Sequence, residues 1–564
     1  MTRPIYVLGS GLSHDGSTCL MKDGRIIVGI EKERLTKVKH DGFNDNDAIK
    51  YCLDAAGITF RDVALFVEKY TVNEKHKPDD LIKRRGRNLP EHLPIVRIGH
   101  HIAHAYSAIG TSPFEESGVL VCDGMGGSID SCLDHDINRV PEEITQLSES
   151  DYIDYFEKES YYRLFNNDVV PVFKDYSKFN FNDLDKYKIA PYDITHSISG
   201  LYGGASKYVF GRDFSEGKLM GLGPYGNSGR FSGELFLKHQ SRVMINYDLI
   251  EDLALKDVNI KTDFQYCADF AKWIQEQTEE AVFYLLNEYH RMYPSDNLCC
   301  AGGLALNAVA NGKIIHNTPF KNVYIQPAAG DNGLAIGACY YGWMKVLNKD
   351  KVPFNGNPYF GKKYDCAEPK LKELLGDGYR VNKPANLEQV VARYISEGKV
   401  VGCFRNGSEF GPRALGNRSI LADPRRKEML DHINIEIKNR EEFRPFAPSI
   451  LKEMYGDFFM PGNEDSDYMI KVSQVIPEKA DLIAAVVHVD GSARVQTVRA
   501  ELNKEYYQLI NEFYKLTDVP ILLNTSFNGK DAPIVETPED AIEFYMSSKL
   551  DVLVMNDYVV TRSK

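Results

Sequence analysis

No run of eighteen or more apolar residues occurs in the 564-residue chain, which excludes a helix spanning the hydrocarbon core of a membrane. Residues Met1 to Ser10 lack the long apolar stretch and small-residue cleavage site of a secretory signal. None of the ten cysteines forms a C-x-x-C pair, so neither a zinc ribbon nor a thioredoxin-like site is expected. Several of them lie in apolar runs and read as buried thiols, and a cytoplasmic compartment is expected. Positive charge is in deficit: 67 basic against 80 acidic residues give a net charge of −13. That sign is opposite to a protein that coats a duplex, so nucleic acid is not an expected partner, although a local basic pocket for a nucleotide remains open. Internal repeats and low-complexity tracts are also missing. What is present, 43% hydrophobic and 26% charged residues, is ordinary for a soluble globular protein of two to four domains.

The N-terminal region reads as strands and glycine turns. Tyr6-Val7-Leu8 is short and apolar, and Ser17 to Met21 and Arg25 to Ile30 flank Lys22-Asp23-Gly24, a strong hairpin signal. A second such unit starts at Gly118 to Asp123, turns through Gly124 to Gly127 and is expected to resume as a strand near Ser128 to Leu133. Two strand–acid/glycine turn–strand units followed by helices point to a duplicated actin-like fold. The Asp-, Lys- and Tyr-rich stretch 145–195 has no clear period and is read as an insertion or surface helical segment. Ala268 to Tyr289 has the apolar spacing of a long amphipathic helix. A Pro/Gly/Asn-rich stretch from Pro353 to Gly361 marks the main boundary, giving domains 1–355 and 356–564. In the second, Lys399 to Phe404 and Val519 to Leu523 read as strands, and Lys427 to Lys438 as a helix. Thr537-Pro538-Glu539-Asp540 reads as a capped helix start.

His100 and His104, four apart on a helix, would face one way as a two-imidazole ligand pair. The position after the first is His101 rather than Glu, so zinc-peptidase chemistry lacks its base. Surface or capping histidines are the plain alternative. Asp123 and Asp331, both on glycine turns, would complete a nitrogen/oxygen set suited to Fe(II), Mn(II) or Zn(II). The turns Asp123 to Gly127, Gly302-Gly303 and Gly330 to Gly333 are either tight structural turns or, together, a nucleotide cleft. His14, in Gly11-Leu-Ser-His-Asp-Gly16, is a turn histidine or a general base. Residues 401–450 hold seven arginines: Arg405, Arg413, Arg418, Arg425, Arg426, Arg440 and Arg444. They sit in glycine- and proline-fixed loops rather than on polar helix faces, and read as a triphosphate site.

These motifs resemble the O-carbamoyltransferases of nodulation-factor and antibiotic biosynthesis, the tobramycin carbamoyltransferase-like family. The resemblance runs over nearly the whole chain. It is carried by His100-His-Ile-Ala-His104-Ala, Glu216-Gly-Lys218-Leu-Met-Gly-Leu-Gly-Pro-Tyr225-Gly226, Glu409-Phe-Gly-Pro-Arg-Ala-Leu-Gly-Asn-Arg-Ser-Ile-Leu-Ala-Asp-Pro424, Phe443-Arg-Pro-Phe-Ala-Pro448 and Leu523-Asn-Thr-Ser-Phe-Asn528. It implies an α/β chain: an actin-like domain similar to the threonylcarbamoyl-transfer protein, then a threonylcarbamoyl-AMP-synthase-like domain. The implied activity forms carbamoyl-adenylate from carbamoyl phosphate and ATP with Mg2+, then passes the carbamoyl group to a hydroxyl of a small natural product. By the same resemblance His100, His104, Asp123 and Asp331 hold Fe2+ or another divalent metal, and His14 is catalytic. Lys39 is assigned to acceptor binding. Gly302, Gly303 and Asn307 match an adenosine-binding turn. Lys438, Arg440, Arg444, Arg494, Ser526 and Asn528 match the adenylate-forming site, with Arg413 and Arg418 in its signature loop. A homodimer is one assembly the resemblance allows. The stretch 145–195 matches no part of the family pattern, so the acceptor is left open. A hydrogenase-maturation enzyme would bring C-x-x-C fingers, which are missing. A nucleotide-binding scaffold without chemistry is the alternative from another class.

Overall fold

The computed structural model describes residues 3–42, 44–69, 88–178, 188–189 and 197–563. The chain divides into two units, Met1–Lys32 with His40–Gly356, and Glu33–Lys39 with Asn357–Lys564. The second unit therefore takes seven residues from the first part of the chain.

In the first unit, β1 (Tyr6–Gly11), β2 (Ser17–Lys22) and β3 (Arg25–Glu31) form an antiparallel meander. Asp23 and Gly24 make the tight turn with φ of 49° and 82°, the left-handed pair that an Asp-Gly hairpin requires. Helix α1 (Asn46–Ala56) buries Ala48, Ile49, Cys52 and Leu53 on one face and ends at Gly57. Parallel strands β4 (Val63–Lys69) and β5 (Ile95–Ile98) then add on the other side of β1, giving the order β3-β2-β1-β4-β5. Helix α2 (His100–Thr111) follows and is buried along its whole length.

The same order then recurs. Strands β6 (Ser117–Cys122), β7 (Tyr155–Phe165) and β8 (Asp168–Lys178) form a second meander. Helix α3 (Ile198–Phe210), a small hairpin of β9 (Phe236–His239) and β10 (Arg242–Ile245), and the 29-residue helix α4 (Phe264–Met292) come next. Strands β11 (Asn297–Ala301) and β12 (Asn322–Ile325) add in parallel beyond β6, so this sheet runs β12-β11-β6-β7-β8. Meander on one side and parallel pair on the other, twice over, is the duplicated actin-like arrangement. Helix α5 (Leu334–Tyr341) packs on α2 at Gly337, where an added Cβ would stand 1.8 Å from the Ala103 carbonyl oxygen.

The first unit departs from two expectations. Ser128 to Leu133 is not the returning strand; Ile129–Ser131 is a single 3-10 turn, and the return is β7. The stretch 145–195 is not a surface helical segment either, because its described part is mostly the β7–β8 hairpin. Buried charges disguised it: Glu157 pairs with Lys174 at 2.6 Å and Lys158 with Asp175 at 3.1 Å, all four nearly inaccessible. Alternation of apolar and polar residues fails where both faces of a strand carry ion pairs. Residues 179–187 and 190–196 lie outside the described part.

The second unit is built on one nine-stranded mixed sheet. Its strands are β13 (Tyr379–Asn382), β14 (Val401–Phe404), β15 (Arg418–Ala422), β16 (Ala447–Leu451), β17 (Lys471–Gln474), β18 (Ser492–Val498), β19 (Ile521–Ser526), β20 (Val552–Met555) and β21 (Tyr558–Arg562). They are ordered β13-β21-β20-β14-β15-β19-β16-β18-β17. Helices α6 (Leu387–Ser396), α7 (Lys504–Thr517) and α8 (Pro538–Ser547) flank it. Val401, Ile420, Ile450, Leu522 and Leu553 form the core with Leu509, Phe513 and Ile542 from the helices. Thr537 and Asp540 cap α8 reciprocally, at 3.2 and 2.9 Å, as the sequence predicted. The helix expected over 427–438 is one short α turn, Met429–Asp431, opening into a wide π turn, His432–Ile437, that ends at Lys438. Among the described residues no helix is long and apolar enough to cross a membrane.

Candidate functional site

Helix α2 starts at Gly99 and puts His100 and His104 on one face, with their Nε2 atoms 3.1 Å apart. Asp123 directly follows β6; its Oδ2 lies 2.9 Å from His100 Nε2 and 3.8 Å from His104 Nε2. Asp331, just ahead of α5, brings Oδ1 to 3.3 and 3.4 Å from the same two nitrogens. All four side chains are buried, and their ligand atoms lie within 4.8 Å of one another. Metal–ligand bonds of about 2.1 Å place adjacent ligand atoms roughly 3.0–3.4 Å apart, so this set fits a divalent cation. Mixed imidazole and carboxylate donors suit Fe, Mn or Zn. His101, between the two, is different. Burial lowers it to about 3, keeping it neutral, and its Nδ1 is 2.8 Å from Ser160 Oγ.

His14 lies in the β1–β2 turn with Nε2 3.5 Å from Asp331 Oδ2 and Nδ1 3.2 Å from Asp15 Oδ2. The other oxygen of Asp15 is 2.7 Å from His40 Nδ1. Burial works against charge on His14, but Asp331, Asp15 and Asp123 together raise it to about 9. Asp15 is held down at about 2: burial opposes this, and hydrogen bonds to His14 and His40 outweigh it. Phe214 stacks on His40 at 4.0 Å and lies 5.0 Å from His14. It is 47% exposed and has a φ of 56°, a costly conformation for a bulky side chain.

The glycine turn after β11 serves the same cluster. Gly302 has a φ of 92°, and the Gly303 N–H donates to Asp123 Oδ1 at 2.8 Å. Asn307 is used internally. Its Oδ1 accepts from the Ala310 N–H at 3.1 Å, capping the next helix, and its amide exchanges hydrogen bonds with Gln275.

In the second unit, Lys438 is buried and its Nζ donates to the Ser526 carbonyl at 2.6 Å, to Ser526 Oγ at 3.2 Å and to Asn528 Oδ1 at 2.7 Å. Burial first, and then Arg440, Arg444 and Lys39, push the ammonium well below its ordinary pKa. Arg494 is depressed in the same way by burial and by Arg413, Arg444 and Arg440. Arg413 falls to about 10 through burial and Arg444. The Nε atoms of Arg413 and Arg494 are sealed from solvent without a hydrogen-bond partner. Arg440 is braced by Asn434 Oδ1 at 2.7 Å, and Glu441 stands 3.9 Å from Arg444. Five cations that repel one another form a set that a polyanion would suit. Arg418 does not join them: its guanidinium donates to the carbonyls of Arg405, Asn406 and Asn417 and lies 3.6 Å over the Phe404 ring. Lys39 is exposed and belongs to the second unit, where its charge acts on Lys438.

Sequence reasoning missed Asp15, His40 and Phe214 as companions of His14. Asp15 stood inside the turn Gly11 to Gly16 and His40 directly follows Lys39, but nothing local to Phe214 signals its place.

Two family descriptions match the chain: "Carbamoyltransferase N-terminus" over residues 7–93 and 90–340, and "Carbamoyltransferase C-terminus" over 392–562. Nodulation protein NolNO of Sinorhizobium fredii is 31% identical over 97% of this chain and 79% of its own length. An uncharacterised protein of Synechocystis sp. is 32% identical over 99% of this chain and 97% of its own. Among solved structures, full-length HypF in the phosphate- and nucleotide-bound form aligns with 61% of this chain and 47% of that one, with a TM-score of 0.39 and 12% identity. Matched by both parts of one family over most of its length, the chain belongs to the carbamoyltransferase family and is a carbamoyl-transferring enzyme.

Proposed function

We propose that the enzyme is an ATP-dependent O-carbamoyltransferase working in two steps. In the first, carbamoyl phosphate, ATP and one water give carbamoyl-adenylate, pyrophosphate and orthophosphate. In the second, a hydroxyl of a small-molecule acceptor attacks the carbamoyl carbon, and AMP leaves. The observation that carries the reading is the cation set of Arg413, Lys438, Arg440, Arg444 and Arg494 in one part of the second unit. Charge accumulates on the phosphates as pyrophosphate departs, and prearranged cations stabilise it there at no cost of reorganisation. Lys438, fixed by Ser526 and Asn528, is the best-oriented of them.

For the second step, His14 in its neutral form takes the proton from the attacking hydroxyl; Asp331 and Asp123 help to hold it charged in the metal-free chain, and a divalent cation on those two carboxylates would free it for that role. Asp15 holds its Nδ1 side, which turns Nε2 toward Asp331. His100, His104, Asp123 and Asp331 would hold a divalent metal, which supplies Lewis-acid polarisation and offsets the two carboxylates. Gly303 fixes Asp123 through its backbone N–H.

The test is carbamoyl-phosphate-dependent pyrophosphate release without acceptor. Wild type is expected to release pyrophosphate and Lys438→Ala to lose at least a hundredfold in rate. No release from folded, metal-loaded wild type, with or without a panel of alcohols, would overturn the reading of the second unit.

A further inference from the structure

The hairpin β7–β8 has a role in the metal cluster that its sequence conceals. Helix α2 begins at Gly99, which has no side chain to cap the free N–H groups of the first turn. The missing acceptor comes from β7. Glu157 Oε2 accepts from the His101 N–H at 3.3 Å and from the Gly127 N–H at 2.9 Å. The backbone of the same residue holds the same loop: its N–H donates to the Gly127 carbonyl at 3.0 Å, and its carbonyl accepts from the Gly126 N–H at 2.9 Å. Gly126 has no room for a side chain, since a Cβ there would stand 2.6 Å from Glu157 Oε2. Oε1 faces Lys174 Nζ at 2.6 Å, and Lys174 is held in turn by Asp134 at 2.8 Å. All these groups except Asp134 are nearly inaccessible.

We infer that Glu157 is the positioning residue of the metal cluster, one carboxylate tying the start of the His100/His104 helix to the glycine loop that follows Asp123. The inference rests on the reading of His100, His104, Asp123 and Asp331 as a metal-binding set. One oxygen fixes two backbone segments that carry three of those four ligands, so its withdrawal spreads the donors instead of removing any of them. An outer group that orients ligands contributes on the order of 10–100-fold in metal affinity. Lys174 neutralises Glu157, which lets a carboxylate sit beside the ligand set without acting as a ligand.

The experiment is titration of the chelator-stripped full chain with Mn2+ alone, read by calorimetry. Wild type is expected to bind Mn2+ and His104→Ala to abolish that binding. Glu157→Ala is expected to weaken it 10–100-fold. Asp175→Asn, on the same hairpin and paired to Lys158 and Arg242 rather than to the loop, should stay within threefold of wild type even where it melts earlier. If Glu157→Ala does not fold, Glu157→Asp decides, because it keeps the charge for Lys174 and draws the oxygens back by about 1.5 Å, one methylene. It is expected to lose at least tenfold. Wild-type affinity in a folded Glu157→Ala or Glu157→Asp overturns the inference, and so does an equal loss in Asp175→Asn. No Mn2+ binding by wild type, or binding unaffected by His104→Ala, overturns the metal reading and the inference with it.

Discussion

At the scale of single residues the molecule trades stability for charge. Arg494 is partly buried, its Nε is sealed without a partner, and three other guanidiniums depress it. An uncompensated cation of this kind destabilises the fold, and an apolar side chain of similar volume relieves it. Arg494→Met is therefore expected to raise the Tm of the nucleotide-free chain and, under the proposed function, to shrink the further rise expected on adding ATP, both read by thermal melts. A Tm that falls counts against the cluster being strained. Phe214 holds a second reserve of strain. Left-handed backbone at a bulky residue costs about 1–3 kcal/mol, which stacking on His40 must offset. Phe214→Gly should leave Tm unchanged or slightly higher, whereas Phe214→Ala, which keeps the unfavourable φ and loses the ring, should lower it.

At the scale of elements, what was legible in the sequence was local. Asp23-Gly24 specified its hairpin and Thr537-Pro538-Glu539-Asp540 its helix start, because turn and cap chemistry reside in neighbouring residues. The grouping of His100, His104, Asp123 and Asp331 was legible as well: two lay one helical turn apart, and the others stood on glycine turns. The hairpin β7–β8 was hidden because its strand character depends on partners far along the chain. Glu157, Lys158 and Glu159 look like a solvated run until Lys174 and Asp175 on the neighbouring strand pair with Glu157 and Lys158. Glu159 makes this testable by pH. Burial raises its carboxyl to about 7, with Lys158 opposing and Asp175 assisting, against an ordinary value of 4.5. The folded chain thus retains a proton that the unfolded chain releases between these pH values. Its contribution is complete below 4.5 and is lost as pH rises through about 7. Glu159→Gln keeps an acceptor for the Ile198 N–H, which Glu159 holds at 3.0 Å. Denaturant melts should find it near wild type at low pH and more stable than wild type above pH 7, by on the order of 1–3 kcal/mol. Equal stability of the two proteins above pH 7 would contradict the protonated buried carboxyl.

At the scale of the whole molecule, a chain of net charge −13 still sets five cations against one another where phosphate chemistry is proposed. The chain path adds a constraint. Glu33–Lys39 belongs to the second unit, and within it Arg34 is buried, with its Nη2 donating to the Gly411 carbonyl at 2.7 Å, beside the loop that carries Arg413. Lys37 pairs with Asp540 at the start of α8. A fragment comprising 357–564 alone should therefore melt below a version with residues 33–39 fused back to it, as calorimetry on the two fragments would show. Because of those seven residues, a cut after Gly356 does not separate the chain into its two natural parts. Recombination between relatives that exchanged only the sequence downstream of that point would join a foreign sheet to a resident strap. Arg34 and its receiving loop must then be inherited together, although more than 370 positions lie between them.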